Sequence, residues 1–251
     1  MSHFYLVKPN KTCKLASSIT TPAKARNTGA LASVTTILSV IPSDFLHKWS
    51  RQQIWKMAND GLSFEECERR RYGMRIDVDG REVPSSDFGT SVHKALECHL
   101  ERVADGDISP NNGPYASYVN PFAGWFSDAG YKLVEAEGIC YCQRRKTAGT
   151  IDVLAKDANG QVVLMDFKTR SVKPGVKPES KVYLKDCAQL SVEAEIVRER
   201  DGLDYAPKII SIVINTEDGN TGIRRWTADQ QSYALTVFDA CANLYHTINK
   251  L

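Results

Sequence analysis

Two short stretches carry the residues best suited to chemistry. Gly149-Thr150-Ile151-Asp152 opens one apolar run, and Val162-Val163-Leu164-Met165-Asp166-Phe167-Lys168 follows after a turn. Both runs read as strands. Asp166 and Lys168 are two residues apart, so their side chains share a face. A charged pair at the end of a buried strand costs desolvation energy unless it meets a partner or a metal. The turn Asp157-Ala158-Asn159-Gly160 decides what these groups meet. A two-residue Asn159-Gly160 hairpin pairs Asp152 with Phe167 and sends Asp152 to the face opposite Asp166. A three-residue loop, Ala158-Asn159-Gly160, sets Asp152 across from Asp166 and puts Gly160 at positive φ. Opposed carboxylates repel unless a cation lies between them. The residues thus offer either an ordinary hairpin or a cation site with a bulged turn.

The elements around this hairpin fall into two parts. Residues 1–33 are rich in Ser, Thr and Lys without a clear period, and read as an irregular arm. From 34 to 130 the pattern is mainly helical. Ser43 or Asp44 caps a helix through about Asn59, and Ser63-x-x-Glu66 is a capping box for a second. Ser86 or Asp87 opens a third helix to about Ala104, with Val92, Leu96, Leu100 and Val103 as its apolar stripe. Residues 108–121 read as a Gly/Pro/Asn-rich loop, and 121–129 as a short helix. From 131 to 251 the order is three strands, a helix over about 182–200, two strands, and a helix that Thr227-x-x-Gln230 opens. The fold class is α/β, a mixed central sheet flanked by helices with a helical N-terminal region, and 34–251 reads as a single domain.

With 42% hydrophobic and 25% charged residues the 251-residue chain is globular, which excludes wholesale disorder. No apolar run reaches the roughly 20 residues that span a bilayer, and no membrane partner is expected. Phe4–Val7 is too short for a secretory signal. The 7 cysteines contain no Cys-x-x-Cys pair. They read as reduced thiols of a cytoplasmic protein rather than a zinc site.

Gly-x-x-Asp, a hairpin and Asp-x-Lys together resemble the PD-(D/E)XK nuclease superfamily, and within it the RecB-like exonuclease group. That group includes phage, CRISPR-associated and mitochondrial genome maintenance exonucleases. Gly89-x-x-x-His93-x-x-Leu96-Glu97 resembles the group's helical histidine motif. Val134-Glu135-Ala136-Glu137 holds the place of its upstream acid; Glu135 and Glu137 share a strand face, and Glu137 is taken as the candidate. Gln189 matches the first residue of a Gln-x-x-x-Tyr element whose tyrosine is Glu193 in this chain. Ala32-Ser33-Val34-Thr35-Thr36-Ile37-Leu38, with Lys48-Trp49, is similar to the opening of phage and mitochondrial members, where a proline often precedes the serine. The resemblance spans roughly 32–215 and implies a restriction-endonuclease-like fold.

It also implies a mechanism. Asp152 and Asp166, the Phe167 carbonyl and His93 would hold Mg²⁺ or Mn²⁺, as an oxygen-rich set with one imidazole suits. Lys168 would orient or help deprotonate the attacking water, with Glu137 and Gln189 completing the catalytic set. The implied reaction is phosphodiester hydrolysis of DNA, single-stranded or at duplex ends, in phage or mobile-element DNA processing, recombination or repair. The late cysteines, Cys187 and Cys241, are too few for the iron–sulfur cluster of some relatives. Three basic clusters are candidates for phosphate contact: Arg69-Arg70-Arg71; Arg144-Arg145-Lys146; and Arg170, Lys173, Lys177, Lys181 and Lys185. Trp49, Trp55, Phe64 and Tyr72 interleave the first, the composition of a single-strand stacking groove. Two other functions compete: a catalytically silent nucleic-acid-binding module, and a structure- or sequence-specific endonuclease.

Overall fold

The computed structural model describes residues 3–8, 10–42, 44–70, 75–78 and 80–251. Arg71 and Tyr72 of the first basic and aromatic group lie outside the described residues, as do the side chains of Trp49, Arg69 and Arg70.

The fold is α/β, with a central mixed sheet between helices. The first 33 residues depart from expectation. They form β1 (Phe4–Val7), β2 (Cys13–Leu15), α1 (Pro22–Thr28) and β3 (Leu31–Ser33) instead of an irregular arm. Helix α1 has ordinary signals: Thr21 caps it, Pro22 opens it and Gly29 closes it at φ +68. The strands are too short to show a period. Their partners decide them: β1 pairs antiparallel with β2 and β3, and β3 lies parallel to a strand more than a hundred residues later, Ala32 against Thr147.

The next segment holds α2 (Val34–Leu38), α3 (Asp44–Asn59) and α4 (Phe64–Arg70). The Ser33 hydroxyl accepts the Thr36 N–H at 3.0 Å and caps α2. A small hairpin follows, β4 (Arg75–Val78) and β5 (Arg81–Pro84), with Val78 against Arg81 and Gly80 at φ +78. Helix α5 (Ser85–Ala104) then runs under the sheet. Helix α6 (Ala116–Asp128) begins five residues before the expected start at Pro121. That proline lies inside the helix and cannot donate to the Ser117 carbonyl, four residues back.

The core hairpins are β6 (Lys132–Cys142), β7 (Thr147–Lys156) and β8 (Val162–Arg170). Helix α7 (Leu184–Asp201), β9 (Lys208–Asn215), β10 (Thr221–Arg225) and α8 (Ala228–Asn249) complete the chain. Thr227 and Gln230 form the capping box of α8 in both directions. The sheet runs β10-β9-β8-β7-β3-β1-β2, with β6 on the other edge of β7. The β8–β9 and β3–β7 pairs are parallel and the rest antiparallel.

Each sheet face has its own core. Leu154, Leu164 and Ile209 pack with Leu190, Val197 and Phe238 of α7 and α8. Val153, Met165, Phe167 and Ile212 pack with Phe88, Val92, Leu96 and Phe122 of α5 and α6. No helix among the described residues is long and apolar enough to cross a membrane.

The sheet is interrupted at its centre. Along one edge, β7 pairs β8 only over residues 153–156 and β3 only over 147–148. Between those pairings the edge of β7 is open at residues 149–152.

Candidate functional site

The turn takes the three-residue form. Val153 faces Met165 and Lys156 faces Val162. Asp157 N–H donates to the Gln161 carbonyl at 2.9 Å, and Ala158, Asn159 and Gly160 close the loop, with Gly160 at φ +78. The Asp157 carboxylate secures it by accepting the N–H groups of Asn159 and Gln161. Continued by one pair, this register would set Asp152 against Asp166.

The ladder ends one pair before those acids, and the strands part. Asp152 Oδ2 takes the place of a backbone acceptor and receives the Phe167 N–H at 2.8 Å. In an extended strand the N–H and C=O of one residue share an edge. The Phe167 carbonyl therefore also faces the parting.

Helix α5 brings His93 to the same place. Val92 and Leu96, both fully buried, anchor that face. Gly89, one turn earlier, allows close approach to β8: a Cβ there would sit 3.0 Å from Thr169 Oγ1. His93 Nδ1 lies 3.5 Å from Asp152 Oδ2, and its ring meets Phe167 edge-on with centroids 5.7 Å apart.

On the other side of β7, the strand β6 bulges between Leu133 and Glu135. Glu137 takes φ +51, uncommon for a residue with a Cβ. It joins His93 and Asp152, with ligand atoms of the three all within 4.8 Å of one another. Although Glu137 is exposed as a residue, its carboxyl faces the acids. Lost hydration there, with the charges of Asp152 and Glu97, pushes it up to about 7. Glu135 goes elsewhere, to Arg200 at 3.0 Å.

Asp166 lies outside that triad. It is 2% exposed, and both its oxygens are 2.7 Å from Lys168 Nζ. Oδ1 accepts hydrogen bonds from Lys168 and from Gln189 Nε2, and buried Oδ2 faces the same Lys168 ammonium. Burial pushes the Asp166 carboxyl up, against the pull of Lys168. For Lys168, burial works toward a neutral amine, but Asp166, Asp152 and Asp186 together outweigh it. The ammonium is held above its ordinary value and stays charged.

Gln189 ties this half together. Its Oε1 accepts from Lys168 at 3.2 Å, and its Nε2 also reaches Glu193 Oε1 at 3.4 Å. Glu193 is the residue that sequence reasoning leaves without a role. It is 2% exposed and lies against Gly149, where an added Cβ would stand 2.9 Å from Oε1. Burial first, then the charges of Asp166 and Asp152, push its carboxyl well above the ordinary range. The available signal is its place one turn after Gln189 on a helix whose stripe continues through Ile196 and Val197.

The basic candidates divide. Lys185 and Arg170 line a cleft with Lys168, Gln189, Thr35 and Ser39. Lys185 donates to the Ile41 carbonyl at 2.6 Å, and Arg170 reaches Asp186 at 3.3 Å. Lys173 is exposed on the following loop. Arg144, Arg145 and Lys146 sit in the β6–β7 turn, about 17 Å of strand from Asp152 at ~3.3 Å per residue. Arg145 turns inward to Asp239 at 2.7 Å, and Arg144 faces Glu199 at 3.5 Å. Of the aromatics near the first basic cluster, Trp55 and Phe64 are more than 70% exposed.

The donor set fits a hard divalent cation. It offers carboxylate oxygens and one imidazole, with the three ligand atoms within 4.8 Å of one another. No protein-family model matches this chain, and no curated protein matches it. Among solved structures it is similar to a "putative exonuclease" from Eubacterium rectale, at 14% identity and TM-score 0.42, over 75% of this chain and 86% of that one. It is also similar to the protein SSO0001, at 16% identity and TM-score 0.34, over 67% of this chain and 62% of that one. Likenesses at this level carry no weight for function.

Proposed function

We propose that the chain is a metal-dependent deoxyribonuclease of the PD-(D/E)XK, RecB-like kind, acting as an exonuclease. The observation that carries this is the parting of β7 and β8. There Asp152 is set by the hairpin register beside His93 and Glu137, with the Asp166–Lys168 pair next to it. Asp152, Asp166, His93, Glu137 and the Phe167 carbonyl would hold Mg²⁺ or Mn²⁺. When bound, the cation polarises the scissile phosphate and acidifies a water.

The chain's own residues do the rest. Lys168 is a charged ammonium in this arrangement, so it donates to developing negative charge on the phosphate and does not act as a base. Gln189 fixes the Lys168 ammonium and the Asp166 carboxylate by one amide. A silent binding module has no use for three carboxyls gathered where phosphates must come, so catalysis is the better reading. Arg170, Lys173 and Lys185, on the side of the Asp166–Lys168 pair, are the proposed phosphate contacts. Arg144–Lys146 stand several nucleotides farther along, with Arg145 and Arg144 turned to Asp239 and Glu199.

Digestion of end-labelled linear and covalently closed DNA, single- and double-stranded, tests this directly. Linear DNA should be degraded with Mg²⁺ or Mn²⁺, with EDTA abolishing the reaction and closed circles spared. Undiminished activity in EDTA overturns the metal assignment, and rapid nicking of closed circles makes the enzyme an endonuclease.

A further inference from the structure

A second recess lies on the same sheet face as Asp166. Ladder partners project to one face, and Asp166 faces Ser211, which in turn faces Arg224. Two strand spacings of about 4.8 Å therefore separate Asp166 from Arg224 at the backbone. Beside Arg224 a cleft of about 410 Å³ opens between the start of α7, β10 and α8.

Its walls are aromatic and cationic. The Arg224 guanidinium lies 5.0 Å over the Trp226 ring, its Nε is buried without a hydrogen-bond partner, and no carboxylate pairs with it among the described residues. Tyr233 is 62% exposed and Tyr183 52% exposed at the rim. Trp226 is held by a hydrogen bond from Nε1 to Ser211 Oγ at 3.0 Å. The remaining wall is the 3₁₀ turn Pro178–Lys181, which packs against Gly222; a Cβ there would stand 2.3 Å from the Glu179 nitrogen. Glu179 is the one acid among the lining residues.

The cleft is joined to the candidate active site. Arg170, two residues beyond Lys168 and on the same strand face, lies 5.8 Å over the Tyr183 ring. A polyanion on Arg170 thus meets a ring at the cleft mouth, with further rings and a guanidinium plane behind it. Rings and guanidinium planes are what unstacked bases lie on, while cations track the backbone.

We infer that this cleft is a stacking subsite for a base of the single strand held at the active site. The inference rests on the nuclease reading and adds its substrate class, an unpaired strand. The base it takes lies roughly one to three nucleotides from the scissile phosphate, at 3.4 Å or more per nucleotide. Duplex DNA cannot use the cleft, because its bases are already stacked.

The test is binding of a fluorescein-labelled oligothymidylate to the full chain in EDTA, where no hydrolysis interferes. Tyr233→Ala and Arg224→Gln should each weaken binding about tenfold, the size of one stacking contact. Tyr233→Phe should bind as the wild type does. An abasic oligomer of equal length should not distinguish wild type from Tyr233→Ala. Tyr233→Ala binding oligothymidylate as tightly as wild type overturns the subsite. So does an equal loss for the abasic oligomer, which would mean a general surface effect. Hydrolysis is read separately with Mn²⁺: no cleavage by wild type, with the Tyr233→Ala binding loss intact, ends the nuclease reading and leaves the subsite standing.

Discussion

The two halves of the site hold similar groups in opposite states. On the α5 side, His93, Glu137 and Asp152 crowd their ligand atoms within 4.8 Å, and no salt bridge from a lysine or arginine reaches Glu137 or Asp152 among the described residues. On the α7 side, Asp166 is buried and already met by the Lys168 ammonium, with Gln189 bridging them. One half has no ion-paired lysine or arginine and the other carries its own. In the proposed function the first recruits a cation, and the second delivers one to the substrate. Asp152 stands where they join, because the ladder between β7 and β8 stops one pair short of it.

Lys168→Ala gives the largest expected effect and separates the halves cleanly. Hydrolysis should fall by roughly 10²–10³-fold, the usual loss for one electrostatic partner of the transition state. Metal affinity should stay near wild type, since the ammonium is not a ligand. Calorimetry with Mn²⁺ checks this, and lost affinity in Lys168→Ala would merge the two halves into one.

The next effect is pH dependence on the α5 side. Folded Glu137 titrates near about 7 against an ordinary 4.5, so the folded state holds the extra proton between those values. Its contribution to stability is fully present below about 4.5 and is lost as pH rises through about 7. A metal requires the carboxylate, so affinity should rise with pH up to about 7 and level off above it. Mn²⁺ titrations across that window should show the slope in wild type and a flattened one in Glu137→Gln. An unchanged slope would place the proton on another group.

Glu193→Gln sets the lower bound. Burial pushes the Glu193 carboxyl well up, toward a neutral form that an amide of the same shape matches, and the amide oxygen can still accept from Gln189. The melting temperature should move by less than about 2 °C, within a kcal/mol for a chain of this size, and hydrolysis should be kept. A loss as large as that of Lys168→Ala would mean that Glu193 works ionised.

The most consequential element is legible in the sequence. The three-residue loop at Ala158-Asn159-Gly160 is in the structure and pairs Val153 with Met165, although the ladder ends before Asp152 and Asp166. Capping boxes at Ser63 and Thr227 mark helix starts that the structure keeps. Strands β1 and β3 are not legible, because three or four residues carry no period and their partners lie far away in sequence. The β4–β5 hairpin has only a faint signal, the Asp79-Gly80 pair between short runs. Arg145 shows why charge runs mislead: adjacent basic residues in a turn point different ways, and this one is spent on Asp239. Glu193 stays hidden because one acid on a buried helix stripe has no meaning until Gly149 and Gln189 are placed beside it.

Calorimetric titration of Mn²⁺ into wild type and Asp152→Asn probes the joint between the halves. Saturable binding to the wild-type chain, competed by Mg²⁺, is expected, with its loss in an Asp152→Asn variant that keeps the wild-type circular dichroism spectrum. Equal Mn²⁺ binding by both proteins would contradict a shared cation site at Asp152, since the parted strands would then hold no cation.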